Sequence, residues 1–352
     1  MSTGLSPAAP SGAPVRRRDT RVRGFLDRLD RRFLPVVGTL LTLVVMLGVG
    51  QQRYSTSRAD FLSMRLFSNL LLDNSYLLVL AVGMTFVVLA GGIDLSVGAV
   101  VALVGLVTAK LFTAGVPLPV VLVLGVLIGT CCGLLIGVMV QVFDIQPFIA
   151  SLAVMFLARG LANVVSTESL KIDDPSFSAL ASWSLKFGQG RETWRINASM
   201  VIAVAVLLLA VYVLHYTRFG RSVYGLGAGD RGLAVELMGL RPARTRIGVY
   251  VISGTCAGIA GILFSLYTKS GFNLTGIGME LDAIAAVVIG GTLLSGGVGF
   301  VLGTGAGVVV YGLIQVLIAR EGLDSWYTRV FIGAVLLAFV VLQKVVTARR
   351  RR

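Results

Sequence analysis

The chain is 352 residues long, and its 31 Lys and Arg against 17 Asp and Glu give a formal charge of +14 and an isoelectric point near 10.3. That balance alone suggests a nucleic-acid binder, but 56% of the residues are hydrophobic, only 14% are charged, and the mean hydropathy is +0.88. A soluble domain has about a quarter of its residues charged, so the composition excludes a water-soluble globule and a nucleic-acid partner and predicts an all-α polytopic membrane protein.

The first 15 residues (MSTGLSPAAPSGAPV) are rich in Ser, Pro, Gly and Ala and are predicted to be disordered. Residues 1–32 hold eight Arg and three acids, a net +5, and read as a basic cytoplasmic segment. Arg21 to Leu34 interleaves Phe25, Leu26, Leu29 and Phe33 with Arg and Asp at near-helical spacing. That pattern fits either a short helix on anionic lipid or a solvated charge run. The apolar stretch from Phe33 to Gly50 runs into Gln51-Gln52-Arg53 rather than a small-residue cleavage site, so it reads as a first, uncleaved span.

Apolar runs of span length follow at 70–90, 97–114, 118–142, 147–165, 197–215, 247–268, 281–296, 300–320 and 326–343, making ten in all. The runs 70–90 and 281–296 are the least regular, being interrupted by Gly and acidic residues. An even number of spans puts both termini on one side. Residues 216–246 (six Arg, two acids, net +4) and the tail 344–352 (Lys344 and Arg349 to Arg352, net +5) then share the side of the basic N-terminus. Outside these three segments 12 basic residues balance 12 acidic ones, so the whole excess obeys the positive-inside rule. The expected organisation is a cytoplasmic segment 1–32, a transmembrane domain 33–343 with an external loop at 166–196 and a cytoplasmic loop at 216–246, and a basic cytoplasmic tail 344–352.

The sequence offers little to an enzyme. Its one histidine, His215, lies at the cytoplasmic end of a span and reads as a helix-end residue. Cys131 and Cys132 are adjacent in one apolar run and Cys256 lies in another, which suits packing better than a disulfide framework. No Cys/His cluster has metal-ligand spacing, and no Gly-Lys dipeptide occurs, so there is no Walker A loop. Leu294-Ser295-Gly296-Gly297 and Gly303-Thr304-Gly305-Ala306-Gly307 imitate nucleotide loops but lack the strand–loop–helix setting, and read as packing or helix-breaking glycines.

Within the membrane the sharpest feature is Gly91-Gly92-Ile93-Asp94-Leu95-Ser96-Val97-Gly98. A charged residue at bilayer depth costs at least about 2.5–3.5 kcal/mol, so it is kept for a cavity, a partner or a cap. Two roles fit Asp94: a pathway residue, with Ser96, at a broken helix, or a cap at the inner turn between two spans. Arg159 and Asn163, one turn apart, either line the pathway or let the arginine snorkel outward. Glu280 and Asp282 open the eighth span, where acids suit a helix N-terminus. Gly290-Gly291-Thr292 with Ser295-Gly296-Gly297 makes a second glycine break in the other half, and two such breaks point to a substrate path. Rows of membrane charges for ion coupling are missing, so the energy is expected from another subunit. An ion-coupled carrier working alone is the alternative.

The loop 216–246 supplies a docking site for such a subunit, unless it is an ordinary positive-inside loop. Thr217-Arg218-Phe219-Gly220-Arg221 leads through Tyr224-Gly225-Leu226-Gly227-Ala228-Gly229-Asp230 into a helix-compatible stretch, Arg231 to Leu240. Asp230 is its expected N-cap, Glu236 lies within it and Gly239 falls near its end.

With these motifs in place, the chain resembles the membrane permease of a bacterial sugar-importing ABC transporter of the ribose/xylose/galactose branch. The resemblance runs from about Ser68 to Gln343 and is most specific at GMTFVVLAGGIDLSVGAVVAL (83–103), RFGRSVYGLGAGD (218–230) and ELDAIAAVVIGGTLLSGGVGFVLGT (280–304). Within the branch it is most similar to the permease of the galactofuranose importer, through 293–299, Gly312 to Gln315, Ser325-Trp326 and the STES run at 166–169. The Arg-rich N-terminus is not part of the family pattern, and the loop's usual Gly-Gly-Asn reads Ala228-Gly229-Asp230 here. The resemblance implies a non-enzymatic, multi-pass protein of the inner membrane with both termini cytoplasmic. It also implies a second permease chain (identical or paralogous), two cytoplasmic ATPases that bind the ATP, a periplasmic sugar-binding protein, and lipid as surroundings. Carried over onto this sequence, Arg218 to Gly239 is the ATPase-facing loop, and Asp94 and Ser96 belong to the pathway motif.

Overall fold

The structure, a computed structural model, describes residues 34–348 apart from 56–59, 191–192, 230–232 and 238; the basic segment 1–32, Asp230 and Arg349 to Arg352 lie outside the described residues. In chain order the helices are α1 (Leu34–Tyr54), α2 (Met64–Asp73), α3 (Ser75–Leu89), α4 (Val97–Thr113), α5 (Leu118–Gln141), α6 (Pro147–Val165) and α7 (Pro175–Ser182). They continue as α8 (Ala198–Tyr216), α9 (Arg218–Leu226), α10 (Leu233–Leu237), α11 (Pro242–Thr268), α12 (Met279–Ile289), α13 (Val301–Arg320) and α14 (Ser325–Ala348). Four short strands make two antiparallel pairs: β1 (Leu170–Lys171) with β4 (Ser270–Gly271), and β2 (Ser184–Phe187) with β3 (Trp194–Asn197).

The starts of these helices are written locally. Proline in the first turn opens α5, α6 and α11, where its missing N–H costs nothing and its fixed φ is already helical. Side-chain caps open others: the Asn197 amide oxygen accepts from the Met200 N–H (2.9 Å), and the Thr217 hydroxyl from the Gly220 N–H (3.2 Å).

Six helices (α1, α5, α6, α8, α11 and α13) are long and apolar enough to cross a bilayer, and α2 with α3, bent by 65°, makes a seventh candidate. Helix α4 and the stretch 326–341 of α14 are shorter apolar helices. Two expected spans differ from the simple reading. The run 70–90 is the bent pair, with Asn74 at the bend. The run 281–296 is realised only as α12, eleven residues or about 16 Å against a hydrocarbon core of about 30 Å, because its helix stops at Gly290. The segment 166–196 carries α7 and the β2–β3 hairpin, in which Phe187 and Trp194 stack.

Helix α11 is the centre of the bundle, packed by α3, α4 and α5. Its tightest seam is with α5, where glycines recur every fourth residue at 125, 129, 133 and 137. A Cβ on Gly129 would meet the Gly258 nitrogen at 2.6 Å, and one on Gly133 the Tyr250 carbonyl carbon at 3.0 Å, so backbone lies on backbone. In lipid, where apolar burial drives little, such close approach supplies the packing that holds two helices together. Large apolar residues such as Val44, Phe156, Leu209 and Leu337 are exposed on the outer helices, as a lipid-facing surface requires.

Helices α12 and α13 form an antiparallel hairpin in strict register. Gly290 lies against Gly303 and Ala286 against Gly307, and Asp282 lines one cleft with Tyr311, each pair one turn beyond the last. The Gly303–Gly307 run is therefore a packing surface. Tyr311 is the eleventh of the twenty residues of α13, so Asp282 and the start of α12 stand halfway across the span. The chain arrives there by dipping inward. From β4, the segment 270–278 follows α4 from Gly105, which lies against Gly271, down to Gly98, which lies against Gly276.

The seam yields a prediction. Gly129→Val places methyl groups into the α11 backbone and is expected to cost about 1–3 kcal/mol, lowering the thermal midpoint of the detergent-solubilised protein, whereas Gly160→Ala, whose Cβ meets nothing within 4 Å, leaves it unchanged. Differential scanning fluorimetry of the two variants checks this.

Candidate functional site

The two glycine breaks are built alike. At the end of α3 the Gly92 N–H donates to the Val87 carbonyl (2.9 Å) and the Gly91 N–H to the Val88 carbonyl (2.9 Å). At the end of α12 the Thr292 N–H donates to Val287 (3.2 Å) and the Gly291 N–H to Val288 (3.0 Å). Both are Schellman caps, and both put a glycine, Gly91 (φ +80°) or Gly291 (φ +93°), in the left-handed conformation that a side chain disfavours. They satisfy carbonyls that water does not reach inside a membrane.

The structure brings the two breaks together. The Gly297 N–H donates to the Leu89 carbonyl at 2.9 Å, and a Cβ on Gly296 would meet the Gly91 backbone at 3.0 Å. The loop 216–246 closes the same junction: a Cβ on Gly227 would meet the Gly297 Cα at 2.8 Å, and the Tyr224 hydroxyl donates to the Gly299 carbonyl at 2.8 Å. Three glycine-rich segments far apart in sequence thus share one point. Beside it opens a cavity of about 850 Å³ lined by His215, Arg221, Gly229, Ser295 and Phe300 among others. His215 stacks on Phe300 with ring centroids 6.1 Å apart and its Nδ1 lies 3.1 Å from the Val211 carbonyl, the setting of a helix-end residue.

Asp94 is fully buried. One carboxylate oxygen accepts from the Ser96 N–H (2.9 Å) and hydroxyl (2.7 Å), and the other accepts from the Ser253 hydroxyl on α11 (2.7 Å). Ser96 is buried with it. In this arrangement both residues organise the start of α4 and tie it to α11.

Arg159 and Asn163 both reach the dipping segment. The Arg159 guanidinium donates to the carbonyls of Asn273 (2.6 Å) and Thr275 (2.7 Å), and the Asn273 amide donates to the Asn163 side-chain oxygen (2.5 Å). Arginine suits this place because it offers several donors to backbone carbonyls that have left a regular element. Glu280 also acts locally, accepting from the Gly278 N–H (3.2 Å) at the start of α12, as expected of an acid at a helix N-terminus. Asp282 stands in the same first turn and lines a cleft with Tyr311.

The loop residues divide. Arg218, Arg221, Gly229, Glu236 and Gly239 are exposed, and Leu237 is 80% exposed. Gly220 and Gly227 face inward instead, the first against the Leu214 backbone and the second against Leu89 and Gly297, so these two members of the expected docking set are seats for the loop and not its outer face. Among the described residues α10 runs over Leu233–Leu237 within the expected 231–240, and the N–H of Gly239 (φ +68°) donates to the Glu236 carbonyl (2.8 Å) after it. Helix α9 was not expected from sequence. The signals for it are Thr217 as cap and the spacing of Phe219, Val223 and Leu226 on one face. Among the described residues no group of His, Cys, Asp and Glu is disposed to hold a metal.

Comparison with known proteins adds the following. Residues 66–340 match the family described as the permease component of the branched-chain amino acid transport system. A fructose import permease of Bifidobacterium longum is 40% identical over 93% of this chain and 94% of its own. An inner membrane ABC transporter permease of Escherichia coli is 43% identical over 87% and 93%, and a ribose import permease of Haemophilus influenzae 34% over 88% and 93%. The galactofuranose transporter permease of Escherichia coli is 34% identical over 75% of each chain. No solved structure matches the chain. A permease component is not an enzyme, and its transporter binds ATP on separate ATPase subunits and works with a binding protein. The chain is a multi-pass membrane protein that belongs to this family of ABC transporter permeases, among its carbohydrate-uptake members.

Proposed function

We propose that the chain forms the inner-membrane path of a sugar importer, passing a hexose or pentose inward by alternating access while separate cytoplasmic ATPases supply the energy. The observation that carries this reading is the junction of Gly91, Gly227 and Gly297. A cytoplasmic loop seated on the ends of two broken helices transmits a push from outside the bilayer to both at once. The galactofuranose resemblance has thinner support than fructose, whose permease matches more closely and over more of the chain. A second permease chain, the same or a paralogue, completes the path.

The proposed orientation has 1–32, 216–246 and 344–352 in the cytoplasm, the domain 33–343 in the membrane, and 166–196 outside. Two sets of contacts support it. The segments 90–96, 227–229 and 290–299 gather at one end of the helices. At the other end Arg53 pairs with Glu321 (2.5 Å), and the Ser68 hydroxyl donates to the Arg195 carbonyl (2.6 Å). On this reading Arg218, Arg221, Gly229, Glu236 and Gly239 meet the ATPase, together with Asp230, while Gly220 and Gly227 pass its movement inward. Asp94, Ser96, Arg159 and Asn163 serve the path by fixing the segments that frame it.

Three measurements test the reading. In proteoliposomes holding the chain with its ATPase and binding protein, sugar uptake is expected to require ATP; uptake by this chain alone under an ion gradient would sink it. Glu236→Lys with Leu237→Asp, both on the exposed face, is expected to reduce ATP-driven uptake about tenfold or more by placing a wrong charge in the contact, and unchanged coupled uptake counts against docking there. Asp94→Ala leaves the Ser253 hydroxyl and the first turn of α4 unpartnered at a cost of about 1–3 kcal/mol. It is expected to lower the melting midpoint, and Asp94→Asn, which keeps an acceptor for the Ser96 N–H, to recover part of it; equal midpoints for Asp94→Ala and the unaltered chain exclude the capping role.

A further inference from the structure

The geometry points to a sugar subsite in the cleft between α12, α13 and α14, which runs from mid-span at Asp282 and Tyr311 to the helix ends at Leu323 and Trp326. This inference rests on the sugar-import reading and names the place in the path where the molecule is held. The cleft has a volume of about 510 Å³, and its polar lining is Asp282, Tyr311, Gln315, Thr328 and Arg329, with Trp326 at its side. A site for a small molecule typically falls between about 300 and 1,000 Å³.

Each part has a physical reason to be there. Asp282 is an acid in the first turn of a half-length helix, at the depth of the middle of α13. A carboxylate there is retained when it faces a polar cavity or a partner, and the N-terminus of a helix that begins inside the membrane is a recurrent place for a transported molecule. Tyr311, set on the α12–α13 register, lines the cleft beside Asp282, and Arg329 lines it from α14. The Arg329 guanidinium is 5.1 Å from the centre of the Trp326 ring. Carboxylate and guanidinium therefore face one cleft with their charges balanced, which suits an uncharged ligand.

A sugar matches this set. Its neighbouring hydroxyls donate to a carboxylate and accept from a guanidinium, an amide such as Gln315 does both, and the apolar face of a sugar ring stacks on indole. The same opposition of charges also admits a zwitterionic amino acid, but its two charged ends would take up Asp282 and Arg329, whereas a ring of several hydroxyls engages Gln315 and Thr328 as well, and the sugar is the occupant the lining favours.

The test uses the full importer in proteoliposomes, with ATP and radiolabelled D-fructose, D-ribose and L-leucine as separate probes. Asp282→Asn, Gln315→Leu and Trp326→Ala are each expected to lower sugar uptake roughly tenfold, since a site built around hydrogen bonds loses discrimination when one is removed. Each is also expected to shift the fructose-to-ribose ratio by at least about threefold, because a contact to the sugar weighs differently on two sugars whereas a folding defect lowers both alike. Trp326→Phe, which keeps an aromatic face, is expected to retain most of the uptake. Variants that keep both rate and ratio, or that lose both sugars equally at unchanged ratio, overturn the subsite while leaving sugar import intact. Uptake of leucine and of neither sugar by the unaltered importer overturns both the subsite and the sugar reading beneath it.

Discussion

A single hydrogen bond, from the Gly297 N–H to the Leu89 carbonyl, joins the two places where this bundle departs from continuous helix. Inside a bilayer every peptide group that leaves a helix has to find a partner in the protein, at a cost of several kcal/mol if it fails. Here each break first closes on itself with a Schellman cap, and the two capped ends then satisfy one another. Bulk at this point is excluded from three directions, since Gly91, Gly227 and Gly296 approach within backbone distance. The surrounding architecture follows from that: α3 and α12 have to end at the same depth, and the loop 216–246 has to arrive there with a glycine.

The remainder divides into a part that resists deformation and a part that does not. Helix α11 lies backbone to backbone along α5 through Gly129, Gly133 and Gly254, and Asp94 ties it to the start of α4 through Ser253. Packed seams of this kind transmit displacement as a body. Helix α12 is only eleven residues long. It is held at its inner end by Gly290 against Gly303 and by the Gln343 amide, which donates to the Val288 carbonyl (3.2 Å), and at its outer end by the dipping segment that Arg159 braces.

Much of this was legible in the sequence because lipid is an unforgiving solvent. Apolar runs and the paired Gly-Gly breaks at 91 and 290 are local signals, and each lies where hydropathy and glycine placed it. The short eighth element and the dip at 270–278 were read as a full span and an external loop, since the contacts that draw Gly271 to Gly105 and Gly276 to Gly98 join residues more than 160 positions apart. The cleft that Asp282 shares with Tyr311 was hidden for the same reason: the two become neighbours only once the α12–α13 register is known. Helix α9 hid inside a stretch whose arginines signalled a loop more loudly than Thr217, Val223 and Leu226 signalled a helix.

The register of that hairpin also constrains how a cytoplasmic event can be felt at the middle of the membrane. From Gly290 at the junction to Asp282 at half depth is about two turns of α12, near 12 Å of helix, lying on α13 through Ala286 and Gly307 with no large side chain between the backbones. A short helix packed in this way carries a displacement along its length as one rod. On the proposed reading the loop displaces Gly297, the break passes this to the end of α12, and the short rod carries it to the cleft at Asp282. A full-length span pinned at both faces of the membrane would have no free end there to move, so the half-length of α12 is what allows the inner junction and the midpoint to be mechanically one.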